Sequence, residues 1–203
     1  MIVYHFTTPI TTPFARKSTQ IYGDLRRLWE KAKIKESAKK PEITGLCRLI
    51  KGYKIMIKVL FICHGNICRS PMAEYVMKHL VRESGREAEF EIASAATSTE
   101  EIGNDVYPPA RRELLSHGVE CPKRKARRLT RRDFDEYDMI IGMDEENLYN
   151  MRRICGAGDA AKISLLLDFT DRPGNVADPW YTRNFAETWR DVCEGCRCLL
   201  KRL

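Results

Sequence analysis

The 203-residue sequence has no apolar run near the ~20 residues that a membrane-spanning helix requires. Its N-terminus lacks the apolar stretch and small-residue cleavage site of a secretory signal. Three cysteines, Cys193, Cys196 and Cys198, fall close together, but no second Cys/His pair completes a tetrahedral metal site. At helical spacing, Cys193 and Cys196 share a face suited to core packing. The run "KRKARRLTRR" (123–132) carries seven cations in ten residues, with no interleaved aromatic residues to serve as a base-stacking platform. Its expected role is solvated surface that draws in phosphorylated substrates. These absences argue against a membrane protein, a zinc module and a nucleic-acid binder. Eight cysteines in a chain with an ample core also read poorly as a disulfide framework, so the expectation is a soluble, reduced, cytoplasmic protein with no metal or cofactor.

The net charge of +7 is unevenly distributed. Residues 1–55 hold 12 Lys/Arg against 4 Asp/Glu, whereas residues 56–203 hold 23 against 24. The basicity therefore belongs to the first quarter, which reads as a basic, poorly ordered or partly helical N-terminal extension. In "DLRRLWEKAKIKESAKK", Leu25, Leu28, Trp29 and Ala32 would share one helical face. Docking of this helix on an acidic partner or an anionic surface is the sharper reading. Met56, just before the first apolar run, is an alternative start of the chain.

From residue 56 onward, short apolar runs alternate with helical patterns. Strands are expected at 57–63, 89–97, 138–143 and 162–169. Helices are expected after residue 69, over 109–117 with Gly118 as the stop, in "TRRDFDEY", in "EENLYNMRRI" with Asp144 as N-cap, and over 184–201. This order implies an α/β fold: a four-stranded parallel sheet with helices on both faces, a three-layer arrangement of the flavodoxin-like or Rossmann-like kind, spanning 56–203. Ligands in such folds bind beyond the C-terminal ends of strands. Cys63 ends the first strand.

Between Cys63 and Arg69 lie His64, Gly65, Asn66, Ile67 and Cys68, with Ser70 and Pro71 following. Gly and Asn tolerate positive φ, so this turn can curl its N–H groups inward into a nest that binds an anion. A proline suits the first helical turn, and the helix N-terminus adds partial positive charge. Arg69 can grip two phosphate oxygens at once. Free cysteine titrates near ~8.5, and such surroundings lower that value, so Cys63 is expected to act as a thiolate nucleophile beneath a phosphate-binding cup.

The string "VLFICHGNICRSPMAE" (59–74), followed in order by "SAATS" (94–98), "EIGN" (101–104), "HG" (117–118), "ARRLTRRDF" (126–134), "MDEENL" (143–148) and "DPWY" (178–181), resembles the low-molecular-weight protein tyrosine phosphatases. The resemblance runs from Met56 to Leu203. It implies that Cys63 is the nucleophile and Arg69 the phosphate clamp, within a loop of His64, Gly65, Asn66, Ile67, Cys68 and Ser70. Asn66 would fix this loop, and Ser70 would stabilise the thiolate as a leaving group. Ser94 would support the loop from the second strand. Asp178 would be the general acid and then the base, held extended by Pro179. Trp180 and Tyr181 would form a wall against a phosphotyrosine ring. The implied partners are phosphotyrosine-containing proteins, with inorganic phosphate as product and inhibitor.

Two positions depart from the pattern. Arg124 stands where relatives often carry histidine, which puts one loop-supporting hydrogen bond in question. Glu100 stands where some place an aromatic, which makes one pocket wall polar. Cys68 either packs or forms a reversible disulfide with oxidised Cys63. His117 is expected at a helix end. The rival readings are a thiol-dependent arsenate reductase using Cys121 and Cys155, a protein-arginine phosphatase, disfavoured by Ile67 where threonine is usual, and an inactive phospho-binding module.

Overall fold

The computed structural model describes residues 56–156 and 160–203, so the basic N-terminal segment and its expected helix lie outside the described residues. Strand β1 (Ile57–Cys63) is an inner strand of the sheet because nearly every residue in it is apolar: Val59, Leu60, Phe61 and Ile62 have no solvent exposure. Alternate side chains point to opposite faces of a strand, so a run that is apolar throughout needs cover on both. It pairs in parallel with β2 (Phe90–Ala96) on one side and β3 (Met139–Gly142) on the other. Strand β4 (Ile163–Leu165) completes the sheet in the order β2-β1-β3-β4.

Among the described residues five α-helices cover the sheet, and a single-turn helix lies by the cleft at the end of β1. On one face, Val59 and Phe61 pack among residues of α1 (Arg69–Glu83), α2 (Pro108–Ser116) and α6 (Phe185–Arg202). On the other, Leu60 and Ile62 meet Phe134 of α3 (Arg131–Glu136) and Leu148 and Met151 of α4 (Glu145–Cys155). The short helix is α5 (Pro179–Thr182). Capping follows the sequence signals. Thr130 and Asp133 make a reciprocal capping box on α3, and Asp144 caps α4 through Asn147 N–H. Asn184 caps α6, and Gly118, at φ 75°, follows the end of α2. Cys193 and Cys196 are buried in the core, as their spacing suggested.

Two local expectations need correction. The fourth strand ends at Leu165, and residues 166–169 form a 3-10 turn. Strand β3 stops at Gly142, so the ladder has no partner to offer beyond Leu165. Asp168 captures the Leu165 N–H at 2.9 Å, and Leu166 turns inward against α6. Residues 179–182 form α5, with Pro179 at its first position, where a missing N–H is harmless, and Asp178 before it has the extended backbone expected of it. The cationic run is not uniformly solvated surface. The chain at 126–129 lies beside the end of β2, through Ala96 N–H to Arg127 O (2.8 Å) and Leu129 N–H to Ala96 O (2.8 Å). This turns the Arg124 side chain inward.

Candidate active site

The loop 63–70 lies where the β1 carboxyl end meets the start of α1. Backbone bonds from two neighbours hold it in place: Thr97 N–H to Cys63 O and Ser98 N–H to His64 O, both 3.0 Å, and Tyr107 N–H to Ile67 O, 2.9 Å. Helix α1 begins with no side-chain cap, so its first N–H groups remain available to the loop and to an anion above it.

Cys63 is 3 % exposed. Its Sγ accepts the Asn66 N–H at 3.2 Å and lies 3.1 Å from Ser70 Oγ. Asn66 Nδ2 donates to Ser70 Oγ (2.8 Å) and to Ser94 Oγ (2.8 Å), while Oδ1 accepts Arg124 Nη2 (2.8 Å) and Arg127 N–H (3.2 Å). Both ends of the amide are matched, which fixes its orientation without ambiguity. Because the Ser70 oxygen already accepts from Asn66, its own proton is free to point at the sulfur. Asn66 sits at φ 58°, the left-handed conformation that asparagine tolerates and that turns its N–H toward the thiol. Gly65 does not share this conformation, contrary to the expected Gly-Asn curl. It is needed for space, since a Cβ there would lie 3.0 Å from Glu101 Cγ.

Arg69 is buried and points its guanidinium between two carboxylates, with Nη1 on Asp144 Oδ2 and Nη2 on Asp178 Oδ2, each at 2.5 Å. Burial alone would lower its pKa. The opposing charges of Cys63, Asp178 and Asp144 win and raise it. Asp178 caps α5 by accepting Trp180 N–H at 2.9 Å, with its own backbone extended. Its loop is pinned from below: Val176 N–H bonds Met143 O, Ala177 N–H bonds Asp191, and Thr188 donates to Ala177 O. Thus a residue 115 positions after Cys63 reaches the same cleft.

That cleft, about 280 Å³, is lined by Cys63, His64, Gly65, Ile67, Cys68 and Arg69 from the loop. Trp180 and Tyr181 form one side, with Trp180 tilted against Tyr107 at 5.6 Å between ring centroids. Glu100 and Glu101 form another, and Asp144, Glu146 and Asp178 complete the rim. Glu100 reaches His64 at 3.2 Å. Of the residues expected in the site, Cys63, His64, Gly65, Ile67, Cys68, Arg69, Asp178, Trp180 and Tyr181 line this cleft, while Asn66, Ser70 and Ser94 are buried beneath it. Cys68 is buried, and burial together with nearby Cys63 pushes its thiol well up, as expected for a residue that packs. Among the described residues, no group of three or more His, Cys, Asp or Glu side chains is placed to hold a metal ion.

Sequence reasoning missed two participants. Asp144 was read only as an N-cap, yet its second oxygen holds Arg69. Glu74 was not singled out at all. It is buried beside Ser94 (2.6 Å) and Arg124 (3.4 Å), and a carboxylate one turn into an otherwise apolar helix face was the available signal. The doubt over Arg124 is resolved: it makes the loop-supporting hydrogen bond itself.

The family model described as low molecular weight phosphotyrosine protein phosphatase matches residues 58–203. The chain is 37 % identical over 147 residues to the low molecular weight protein-tyrosine-phosphatase YfkJ of Bacillus subtilis, covering 71 % of this chain and 94 % of that protein. The crystal structure of YfkJ superposes with a TM-score of 0.71, covering 72 % of this chain and 94 % of that one. The low molecular weight phosphotyrosine protein phosphatase of Saccharomyces cerevisiae is 41 % identical over 156 residues, covering 73 % and 96 %. A Drosophila arginine phosphatase structure, 28 % identical and covering 72 % and 97 %, superposes with a TM-score of 0.67.

Proposed function

The chain belongs to the low molecular weight phosphotyrosine protein phosphatase family, and we propose on that premise that Cys63, Arg69 and Asp178 hydrolyse phosphotyrosine through a phosphocysteine intermediate. The observation that carries this is the convergence on one cleft of the Cys63 sulfur, the Arg69 guanidinium and the Asp178 carboxylate.

In the first step, the phosphate dianion enters the cup and takes over Arg69, which frees Asp178 to face the ester oxygen. The Cys63 thiolate attacks phosphorus, the P–O bond breaks, and the Asp178 carboxylic acid gives its proton to the departing phenolate. Backbone N–H groups of the loop and the α1 N-terminus stabilise charge on the equatorial oxygens. In the second step, Asp178, now a carboxylate, takes a proton from water as that water attacks the phosphocysteine. The P–S bond breaks, and Ser70 donates its hydrogen bond to the sulfur, which leaves as thiolate. Inorganic phosphate is released, and as an occupant of the same cup it competes with substrate.

The aromatic side formed by Trp180 and Tyr181 suits a phosphotyrosine ring, and the substrates are therefore phosphotyrosine-containing proteins. A thiol nucleophile fits a reducing compartment, which favours the cytoplasm; among the described residues no helix is long and apolar enough to cross a membrane. The arsenate-reductase reading weakens because Cys121 and Cys155 belong to cores on opposite faces of the sheet, which is poor placement for passing a disulfide from one to the other.

Hydrolysis of a phosphotyrosyl peptide and of phosphoarginine, and reduction of arsenate with an added thiol reductant, should be compared for the wild-type chain and Cys63→Ser. The expected result is turnover of the phosphotyrosyl peptide alone, abolished by the substitution. Unchanged turnover in Cys63→Ser, or faster turnover of phosphoarginine, would overturn the reading.

A further inference from the structure

One aromatic side chain joins the nucleophile loop to the turn that carries Asp178. Pro108 opens α2 and keeps the preceding Tyr107 extended, at φ −55° and ψ 131°. Its N–H is thereby turned out of the helix and onto the loop carbonyl of Ile67, at 2.9 Å. The ring, half-buried, packs against the cluster of Ile67, Cys68 and Ala126, and lies 6.0 Å from the Phe185 ring between centroids. The same ring meets Trp180 at 5.6 Å with planes tilted by 59°, within the range where aromatic pairs attract. Trp180 needs such a neighbour. Helix α5 is a single turn and the indole is 45 % exposed, so its own helix does little to fix the ring. The Arg183 guanidinium, 5.6 Å from the indole centroid, adds a second contact.

We propose that Tyr107 is a positioning residue that sets the Trp180 wall relative to the phosphate cup, and so determines how strongly the site prefers a ring-bearing phosphate to phosphate alone. Tyr107 is not among the residues lining the cleft, so it acts through Trp180. A ring esterified to a phosphate held in the cup has a fixed reach, and the wall must stand where that ring arrives. A loose indole would have to be ordered on binding, and the entropy lost in ordering it weakens the complex. An indole already held by Tyr107 loses little. Because Tyr107 is anchored on the loop that holds the phosphate, a shift of the loop carries the wall with it and preserves their spacing. Inorganic phosphate fills the cup without reaching the wall, so its affinity should be indifferent to the Tyr107 ring. The N–H on Ile67 O belongs to the backbone and survives replacement of the side chain, which lets the ring be tested apart from the loop.

The inference rests on Trp180 facing the phosphotyrosine ring, and calorimetric titration of the full chain tests it without turnover. The probes are benzylphosphonate, which carries a ring, and inorganic phosphate, which does not. Tyr107→Ala should weaken benzylphosphonate by about 3- to 10-fold, the worth of one aromatic pair and one ordered side chain, and inorganic phosphate by less than about twofold. Tyr107→Leu keeps apolar bulk against Ile67 and Phe185 but loses the aromatic contact, and should behave like Tyr107→Ala; it decides the matter if the alanine variant does not fold. Tyr107→Phe restores the ring and should recover the benzylphosphonate affinity. In a Trp180→Ala background, Tyr107→Ala should have no further effect on benzylphosphonate, because the two residues act as one unit. A merely structural role for Tyr107 would leave its effect intact in that background. Equal weakening of both probes, an undiminished effect of Tyr107→Ala without Trp180, or benzylphosphonate affinity within twofold of wild type in both Tyr107→Ala and Tyr107→Leu overturns the proposal. Failure of benzylphosphonate to bind the wild type overturns it as well, by removing the wall. If the wild type bound benzylphosphonate but hydrolysed no phosphotyrosyl peptide, the proposed reaction would fall while the titrations still read the wall.

Discussion

Replacing Asn66 separates the loop's contribution to stability from its contribution to chemistry. Asn66 is 1 % exposed and makes four side-chain hydrogen bonds, one of them to a guanidinium. At about 1 kcal/mol for each neutral bond and about 2 for the charged one, the plain total is ~5 kcal/mol. The four share one side chain, and water entering the vacated space recovers part of the loss, so the expected cost is about 3–4 kcal/mol. Alanine at φ 58° costs about 1 kcal/mol more, which puts Asn66→Ala at about 4–5 kcal/mol. Glycine avoids the backbone cost but loosens the unfolded chain by about 0.5–1 kcal/mol, so Asn66→Gly should be more stable than Asn66→Ala by under ~1 kcal/mol. Asn66→Asp keeps both acceptor contacts and should lose only about 2 kcal/mol. It draws the Ser70 proton away from sulfur, however, so kcat should fall at least about 100-fold. Urea unfolding and aryl phosphate kinetics on the three variants provide the measurements. A cost below about 1.5 kcal/mol in Asn66→Ala, or near-normal turnover in Asn66→Asp, would refute this account of the loop.

Other consequences are equally open to measurement. Asp178→Asn should lower kcat by about 10²- to 10⁴-fold for phenols that leave poorly and far less for activated ones; an equal loss for both would remove Asp178 from the acid role. Gly195→Ala places a Cβ 2.5 Å from Leu166 Cγ, and the overpacking should cost about 1–3 kcal/mol in thermal unfolding. Burial works against ionisation of Asp133, but Arg127 and the Thr130 cap outweigh it and hold the carboxyl below its ordinary range. Its stabilisation is therefore present above the unfolded value of about 3.9 and is lost as pH falls through the lower folded value. The stability gap between wild type and Asp133→Asn should close in that acid window, and a gap constant from pH 7 to pH 2 would contradict the assignment. Glu100 and Glu101 on the cleft wall should favour phosphotyrosyl peptides flanked by lysine over glutamate by about two- to fivefold per charge pair at low salt; no preference, or one unaffected by salt, would count against it.

Much of the fold could be read from sequence because β1 needed burial on both faces and the capping residues stood where helices begin. The fourth strand was misjudged because "ISLLLDF" is apolar apart from Ser164 and Asp168, and the stop comes from the length of β3 together with Asp168 taking the Leu165 N–H. Within the site, Cys63, Arg69 and Asp178 were visible because their chemistry is specific and their neighbours, Pro71 and Pro179, mark the local backbone. Glu74 and the second role of Asp144 were not visible, since a glutamate on a helix and an aspartate at an N-cap have common surface explanations. Arg124 was visible only as a departure. Its partners, Asn66, Glu74 and Ser94, come from three separate segments, and only the packing of 126–129 beside β2 brings it to them.

The parallel order of the sheet also sets a sequence of events in synthesis. The thiol and its anion cup belong to the earliest strand-helix unit of the described chain, whereas Asp178 follows β4 and depends on Asp191 and Thr188 of α6, the last helix, for its placement. A chain emerging N-terminus first would complete the segments that hold the loop, up to Arg127, before those that hold Asp178. The proton transfer proposed for Asp178 would therefore wait until the final helix closes against the sheet.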